Sequence, residues 1–140
     1  MPGTYADFAP GHTVAPDAIR GWAGMDRAYF SESLDALGAL TEDWDGYGAQ
    51  PVSPLALNMA GNLIDTLLRY PLPPPQLVPV PNGGVQLEWV GEAIEVDLEL
   101  RPDGTAVFVC DDNMMGEEID GELPDDLQLF GIVLQRLEDR

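Results

Sequence analysis

The strongest constraint in this chain is the run from Val85 to Leu100, where apolar and polar residues alternate. Val85, Leu87 and Trp89 alternate with Gln86 and Glu88. Ile94, Val96, Leu98 and Leu100 then alternate with Glu95, Asp97 and Glu99. A period of two sends successive side chains to opposite faces, so each segment predicts a strand with one apolar and one acidic face. Gly91-Glu92 between them suits a two-residue turn with glycine first. That turn pairs Val90 with Ala93, Trp89 with Ile94, Glu88 with Glu95, Leu87 with Val96 and Gln86 with Asp97. Every inward pair is then apolar. The outward face carries Glu88 opposite Glu95, with Asp97 and Glu99 following. Like charges directly opposite each other destabilise a sheet by roughly a few tenths of a kcal/mol or more. A Debye length of about 8 Å at physiological salt does not screen neighbours this close. Folding stability alone would not choose this pairing.

A third strand follows from Thr105 to Cys110, after the turn signal Pro102-Asp103-Gly104. A three-residue loop there places Ala106, Phe108 and Cys110 inward; a loop of two or four swaps in Val107 and Val109. Two helices precede this meander. From about Asp26 to Leu40, Phe30, Leu34, Leu37, Leu40 or Thr41, and Trp44 recur at helical spacing, with Asp26 as a cap and Gly46 and Gly48 as the stop. Trp44 extends this stripe and is expected to plug the core. Ser53 caps a second helix whose first residue is Pro54, and Ala56, Met59, Ala60, Leu63 and Leu67 form its stripe, with Leu57, Ile64 and Leu68 beside it. Pro71 ends it, and Pro71-Leu72-Pro73-Pro74-Pro75 is expected to cross in an extended, polyproline-like form. Residues 111–123 are expected as an acidic loop. A final helix runs from about Pro124 to Leu137 on Leu127, Phe130, Val133 or Leu134, and Leu137. Residues 1 to about 20, rich in Pro and Gly, are expected to form a flexible arm, with residues 21–140 as one α+β domain. Its layout is two N-terminal helices, a three-stranded antiparallel meander and a C-terminal helix.

Charge bears most directly on function. The chain has 25 acids against six arginines and no lysine, a formal net charge of −19 in 140 residues. Such a balance repels nucleic acid and anionic membrane and attracts basic surfaces, including those that normally hold nucleic acid. The charge is uneven: residues 91–140 contain most of the acids and only Arg101, Arg136 and Arg140 against them. The N-terminus lacks the basic and apolar regions of a signal peptide, and no apolar run has the length of a membrane span, so a cytoplasmic setting is expected. One cysteine, Cys110, excludes an intrachain disulfide and reads as a small core residue.

Motifs for chemistry are thin. The one histidine, His12, lies in the arm, so a His-based metal cluster or nucleophile pair would rest on it alone. Asp111, Asn113, Gly116 and Glu122 match four positions of a calcium-loop spacing, but Met115 occupies a ligand position and a strand precedes the loop. Asp43-Trp44-Asp45-Gly46 has a fainter look of the same kind. No cofactor or metal is expected. Gly46 and Gly48 lack the third glycine and the strand–helix context of a phosphate loop.

The segments Trp44-Asp45-Gly46-Tyr47-Gly48-Ala49 and Gly83-Gly84-Val85-Gln86-Leu87-Glu88-Trp89 together carry a resemblance. They resemble a family of small, mostly uncharacterised bacterial and phage proteins that share a W-D-G-x-G-A segment and a later G-G-[hydrophobic]-x-L-E-W segment. The similarity covers roughly residues 35–110. It implies one fold spanning both segments and a defence or mobile-element setting, and brings no catalytic residues with it.

The expectation from these observations is a non-enzymatic acidic inhibitor that blocks a basic nucleic-acid-binding surface of a partner, like a DNA-mimic anti-CRISPR protein or an antitoxin. Its contact residues would be Glu88, Glu95, Asp97 and Glu99 on the sheet, Asp111, Asp112, Glu117, Glu118 and Asp120 in the acidic loop, and Tyr47. One alternative is an interaction module using apolar surface near Tyr47 and the proline run. Another is a carboxylate-dependent hydrolase built on Glu88, Glu95 and Asp97, which requires a closed pocket to tune their protonation.

Overall fold

A computed structural model describes residues 28–139. The expected arm, His12 and the Asp26 cap lie outside the described residues. Helix α1 covers residues 28–38. Its stripe behaves as the spacing predicts: Phe30 and Leu37 are buried, and Leu34 and Leu40 pack against the same core. Trp44 does not continue it. The helix closes in turn bonds from Ala39 and Leu40 back to Asp35, Ala36 and Leu37, and Asp43 takes a positive φ of 65°. The helical phase is lost before Trp44, which stays half-buried and donates its indole N–H to the Gln50 carbonyl at 2.8 Å.

Helix α2 spans Pro54–Leu67. The Ser53 hydroxyl caps it by accepting from the Leu55 N–H, and Pro54 opens it where no intrahelical donor is needed. Ala56, Ala60, Ile64 and Leu67 form the buried stripe.

Five strands follow: β1 Gln76–Pro79, β2 Val85–Val90, β3 Ile94–Leu100, β4 Ala106–Asp112 and β5 Glu117–Leu123. Their order in space is their order in the chain, and every pairing is antiparallel. Helix α3, Leu127–Asp139, closes the chain. The α+β class is as expected, but the sheet has five strands where three were expected. Residues 76–79, directly after the proline run, form β1, and residues 117–123 form β5 instead of an acidic loop.

The three-residue loop at Pro102-Asp103-Gly104 is as the turn signal predicts. Gly104 has φ 92°, its N–H donates to the Arg101 carbonyl, and Ala106, Phe108 and Cys110 face the core. The first hairpin differs from expectation. Val90 pairs with Glu95, Trp89 with Val96, Glu88 with Asp97, Leu87 with Leu98 and Gln86 with Glu99. The turn residues are Glu92 and Ala93, closed by the bond from the Gly91 N–H to the Ile94 carbonyl. Gly91 is not among the positive-φ glycines, so the glycine-first turn does not form. The turn is held instead from a neighbouring loop: Asn113 donates its backbone N–H to the Ala93 carbonyl and its side-chain amide to the Glu92 carbonyl. The whole ladder slides by two residues, which leaves every side chain on its expected face.

Among the described residues, the helices lie on one face of the sheet. Val85, Leu87, Trp89, Val96, Leu98 and Phe108 meet Ala60, Ile64, Phe130 and Leu134 in a single core. The proline run is pinned to this face by the Trp89 indole, which donates to the Pro73 carbonyl at 2.8 Å. The residues just after the first glycine-bearing segment bond to the turn that leads into the second. Gln50 donates to the Pro81 carbonyl at 2.9 Å and Ser53 to the Gly83 carbonyl at 2.8 Å. Gly84 is required by contact, since a Cβ there would sit 2.6 Å from the Leu100 carbonyl oxygen. No helix among the described residues is long and apolar enough to cross a membrane.

Candidate partner-binding face

The face of the sheet opposite the helices is built by the same period of two that builds the core. Where Leu87, Val96 and Phe108 point inward, their chain neighbours point outward. The pairings align these outward residues in rows across the strands. One row runs Gln76, Glu88, Asp97, Val109, Asp120. The row on one side runs Val90, Glu95, Asp111, Glu118, and on the other Val78, Gln86, Glu99, Val107, Glu122. Neighbouring strands lie about 4.8 Å apart and outward residues on one strand about 6.8 Å apart. Carboxylates therefore recur every few ångströms in two directions.

Three acids, Glu95, Asp111 and Glu118, are directly adjacent across three strands. Among the described residues, compensation reaches Glu88 and Glu99. Gln86 donates its amide to Glu88 at 2.7 Å, Asn82 donates to Glu99 at 3.1 Å, and Arg101 lies 3.7 Å from Glu99. Among the described residues, Glu95, Asp97, Asp111, Glu118 and Asp120 have no side-chain donor or cation beside them. Burial within the face holds the Asp97 carboxyl above the ordinary carboxylate range, and the charges of Glu88 and Glu95 push it the same way.

The structure divides the expected contact residues. Glu88, Glu95, Asp97, Glu99, Asp111, Glu118 and Asp120 share this outer face. Asp112 and Glu117 do not. They pair with each other at the turn end of β4 and β5, in phase with Ile94 on the helix side. Asp112 is fully buried, accepts the backbone N–H groups of Met114 and Met115, and meets the Arg136 guanidinium of α3 at 3.0 Å. Arg136 also meets Glu117 at 2.7 Å. These two acids tie the turn to α3 and lie off the outer face, Asp112 with no exposed surface and Glu117 exposed. Glu122 joins the outer face and was not expected there. Its signal was present in the i, i+2 spacing of Glu118, Asp120 and Glu122, which becomes legible once residues 117–123 are a strand.

Tyr47 stands apart, on the loop after α1, and is 93% exposed. The loop beneath it is closed by its own acids. Asp43 accepts from the Gly48 N–H at 2.6 Å, and Asp45 accepts from Tyr47 and Ala49. Gly46 and Gly48 supply the positive φ the turn needs. The calcium-like spacing from Asp111 to Glu122 is drawn out along a hairpin: Asp111 lies opposite Glu118, and Glu122 opposite Val107. No group of three or more potential ligands for a metal ion occurs among the described residues. Two clefts lie away from Glu88. One of about 770 Å³ lies between α1 and α2, lined by Leu34, Asp35, Asn58 and Asp65 among others. Another of about 250 Å³ lies beside Pro73, Trp89 and Leu137. Comparison of the chain with protein-family models, with curated proteins and with solved structures finds no match in any of the three.

Proposed function

We propose that this chain is a non-enzymatic acidic inhibitor. It lays the outer face of its sheet on a basic, nucleic-acid-binding surface of a partner protein and blocks it, as DNA-mimic anti-CRISPR proteins and some antitoxins do. The observation that supports this is the row Glu95, Asp111, Glu118 with Glu88, Asp97 and Asp120 beside it. Adjacent like charges of this kind work against folding. A basic groove is built to receive closely spaced negative charges and to release counterions when it does. Long-range attraction would make association fast and dependent on ionic strength.

The test is capture of the partner from the native host at two salt concentrations, repeated with Glu95→Lys, Asp111→Lys and Glu118→Lys singly and together. Binding should weaken stepwise and its salt dependence should flatten. Unchanged binding by the triple variant sinks the proposal. A second reading has one observation in its favour, the exposure of Tyr47 on a hydrogen-bonded loop. An interaction module centred there predicts that Tyr47→Ala abolishes binding and that salt has little effect.

A further inference from the structure

The two edges of the sheet are unlike. β1 is four residues long and ends in Pro79, which has no N–H to offer a neighbour. β5 is seven residues long and contains no proline. Which of its backbone groups are open follows from the bonds on the far side of β4. Asn113 donates to the Ala93 carbonyl, and Arg101 to the Thr105 carbonyl. Counting along the ladder, Val107, Val109 and Asp111 turn their backbone groups toward β3, and Ala106, Phe108, Cys110 and Asp112 turn theirs toward β5. The groups of Glu118, Asp120 and Glu122 therefore point away from the sheet.

Glu122 is closed. Its N–H donates to the Asp126 carboxylate at 2.8 Å, and its carbonyl accepts from the Asp126 N–H at 2.7 Å. Glu118 and Asp120 are not closed by any described residue. Their side chains lie on the outer face, beside Asp111 and Val109. Among the described residues, the edge is thus open in its backbone and acidic in its side chains over one short stretch.

We propose that this stretch of β5 receives an extended basic segment of the partner protein as a sixth strand. The incoming backbone bonds to Glu118 and Asp120, and its alternate Lys or Arg side chains lie against the same two carboxylates. Charge selects this occupant. A second copy of β5 would set Glu118 and Asp120 against like charges, and a neutral strand would leave them unpaired. The proposal rests on the reading of the outer face as the partner surface and adds the mode of recognition: main-chain pairing for affinity, alternate basic side chains for choice.

The probe is a synthetic nine-residue peptide of alternating Lys and Val. Three further peptides accompany it: one N-methylated at the Lys residues, one N-methylated at the Val residues, and one with Gln in place of Lys. In a sixth strand that pairs antiparallel, as every strand of this sheet does, with Lys on the outer face, the Lys N–H groups face β5 and the Val N–H groups face solvent. The Lys/Val peptide and its Val-methylated form should bind alike and protect the Glu118 and Asp120 amides from hydrogen exchange. The Lys-methylated form should bind about tenfold more weakly, as expected for the loss of two or so hydrogen bonds. Equal binding by the two methylated peptides overturns the added strand and leaves the charge reading standing. Equal binding by the Gln peptide overturns the charge reading itself. Absence of binding by the Lys/Val peptide overturns both.

Discussion

Two aspartates on opposite sides of the sheet show how place decides what an acid does. Asp112 is buried on the helix side with Arg136 against it. Removing one partner of a buried ion pair leaves an uncompensated charge, at a cost of about 3–5 kcal/mol. Arg136→Ala should lower stability by that order in urea melts at pH 7, with Arg136→Lys milder. A loss below about 1 kcal/mol would mean that the pair is not what holds α3. Asp97 is the opposite case. Its neighbours are Glu88 and Glu95, and its carboxyl holds a proton more tightly folded than unfolded. Between the unfolded value of 3.8 and the raised native value, the folded state carries more protons. Stability therefore falls as pH rises through that window and stays lower above it. Asp97→Asn should stabilise the protein at pH 7 by about 0.2–1 kcal/mol, the range for a cross-strand pair. The gain should shrink as pH falls through the window toward the unfolded value. Thermal melts of both forms at pH 7 and at pH 4 check the sign; a destabilised variant at pH 7 would contradict it.

At the scale of elements, what sequence patterning reveals depends on how many of an element's residues are committed to the core. β2 and β3 were legible because Leu87, Trp89, Val96 and Leu98 leave no other face to bury. Their register was not, because a slide of two residues keeps the same side chains inside; Asn113, far off in the chain, settles it. β5 was invisible because only Ile119 and Leu123 of its inward residues are apolar. Glu117 goes to Arg136, and Gly121 lies under the Phe108 ring, where a Cβ would come within 2.7 Å. β1 was hidden by Pro79 and the proline run before it; an edge strand tolerates a proline and a central one does not. The candidate face was legible on β2 and β3 by the same alternation. On β5 it was blurred: reading a loop there mixed Asp112 and Glu117 with Glu118 and Asp120, and left Glu122 out. Trp44 was misplaced for a related reason, since a helical stripe says nothing of where the helix stops.

For the whole molecule, a net charge of −19 with eight of the 25 acids on one sheet face makes ionic strength a stability variable. The Debye length shrinks from about 30 Å at 0.01 M salt to about 8 Å at 0.15 M, so distant repulsion across the face is screened while adjacent pairs still interact. The melting temperature should rise with NaCl over this range. Relief of about 1 kcal/mol corresponds to roughly 3–4 °C for a domain of this size. A flat melting temperature would show that the repulsion is offset within the fold. The same salt that steadies the free protein should weaken its hold on a basic partner, so stability and affinity are expected to move in opposite directions.

The order of the strands has a consequence for how such a charged chain assembles at all. Because order in space repeats order in sequence, no pairing in the sheet waits on a remote segment. Each hairpin closes over a few residues, where the entropic cost of closure is small and folding is fast. The acidic strands are then brought together one neighbour at a time, each addition backed by its own share of apolar burial. A Greek-key arrangement of the same strands would have to gather distant acidic segments before any core existed to hold them.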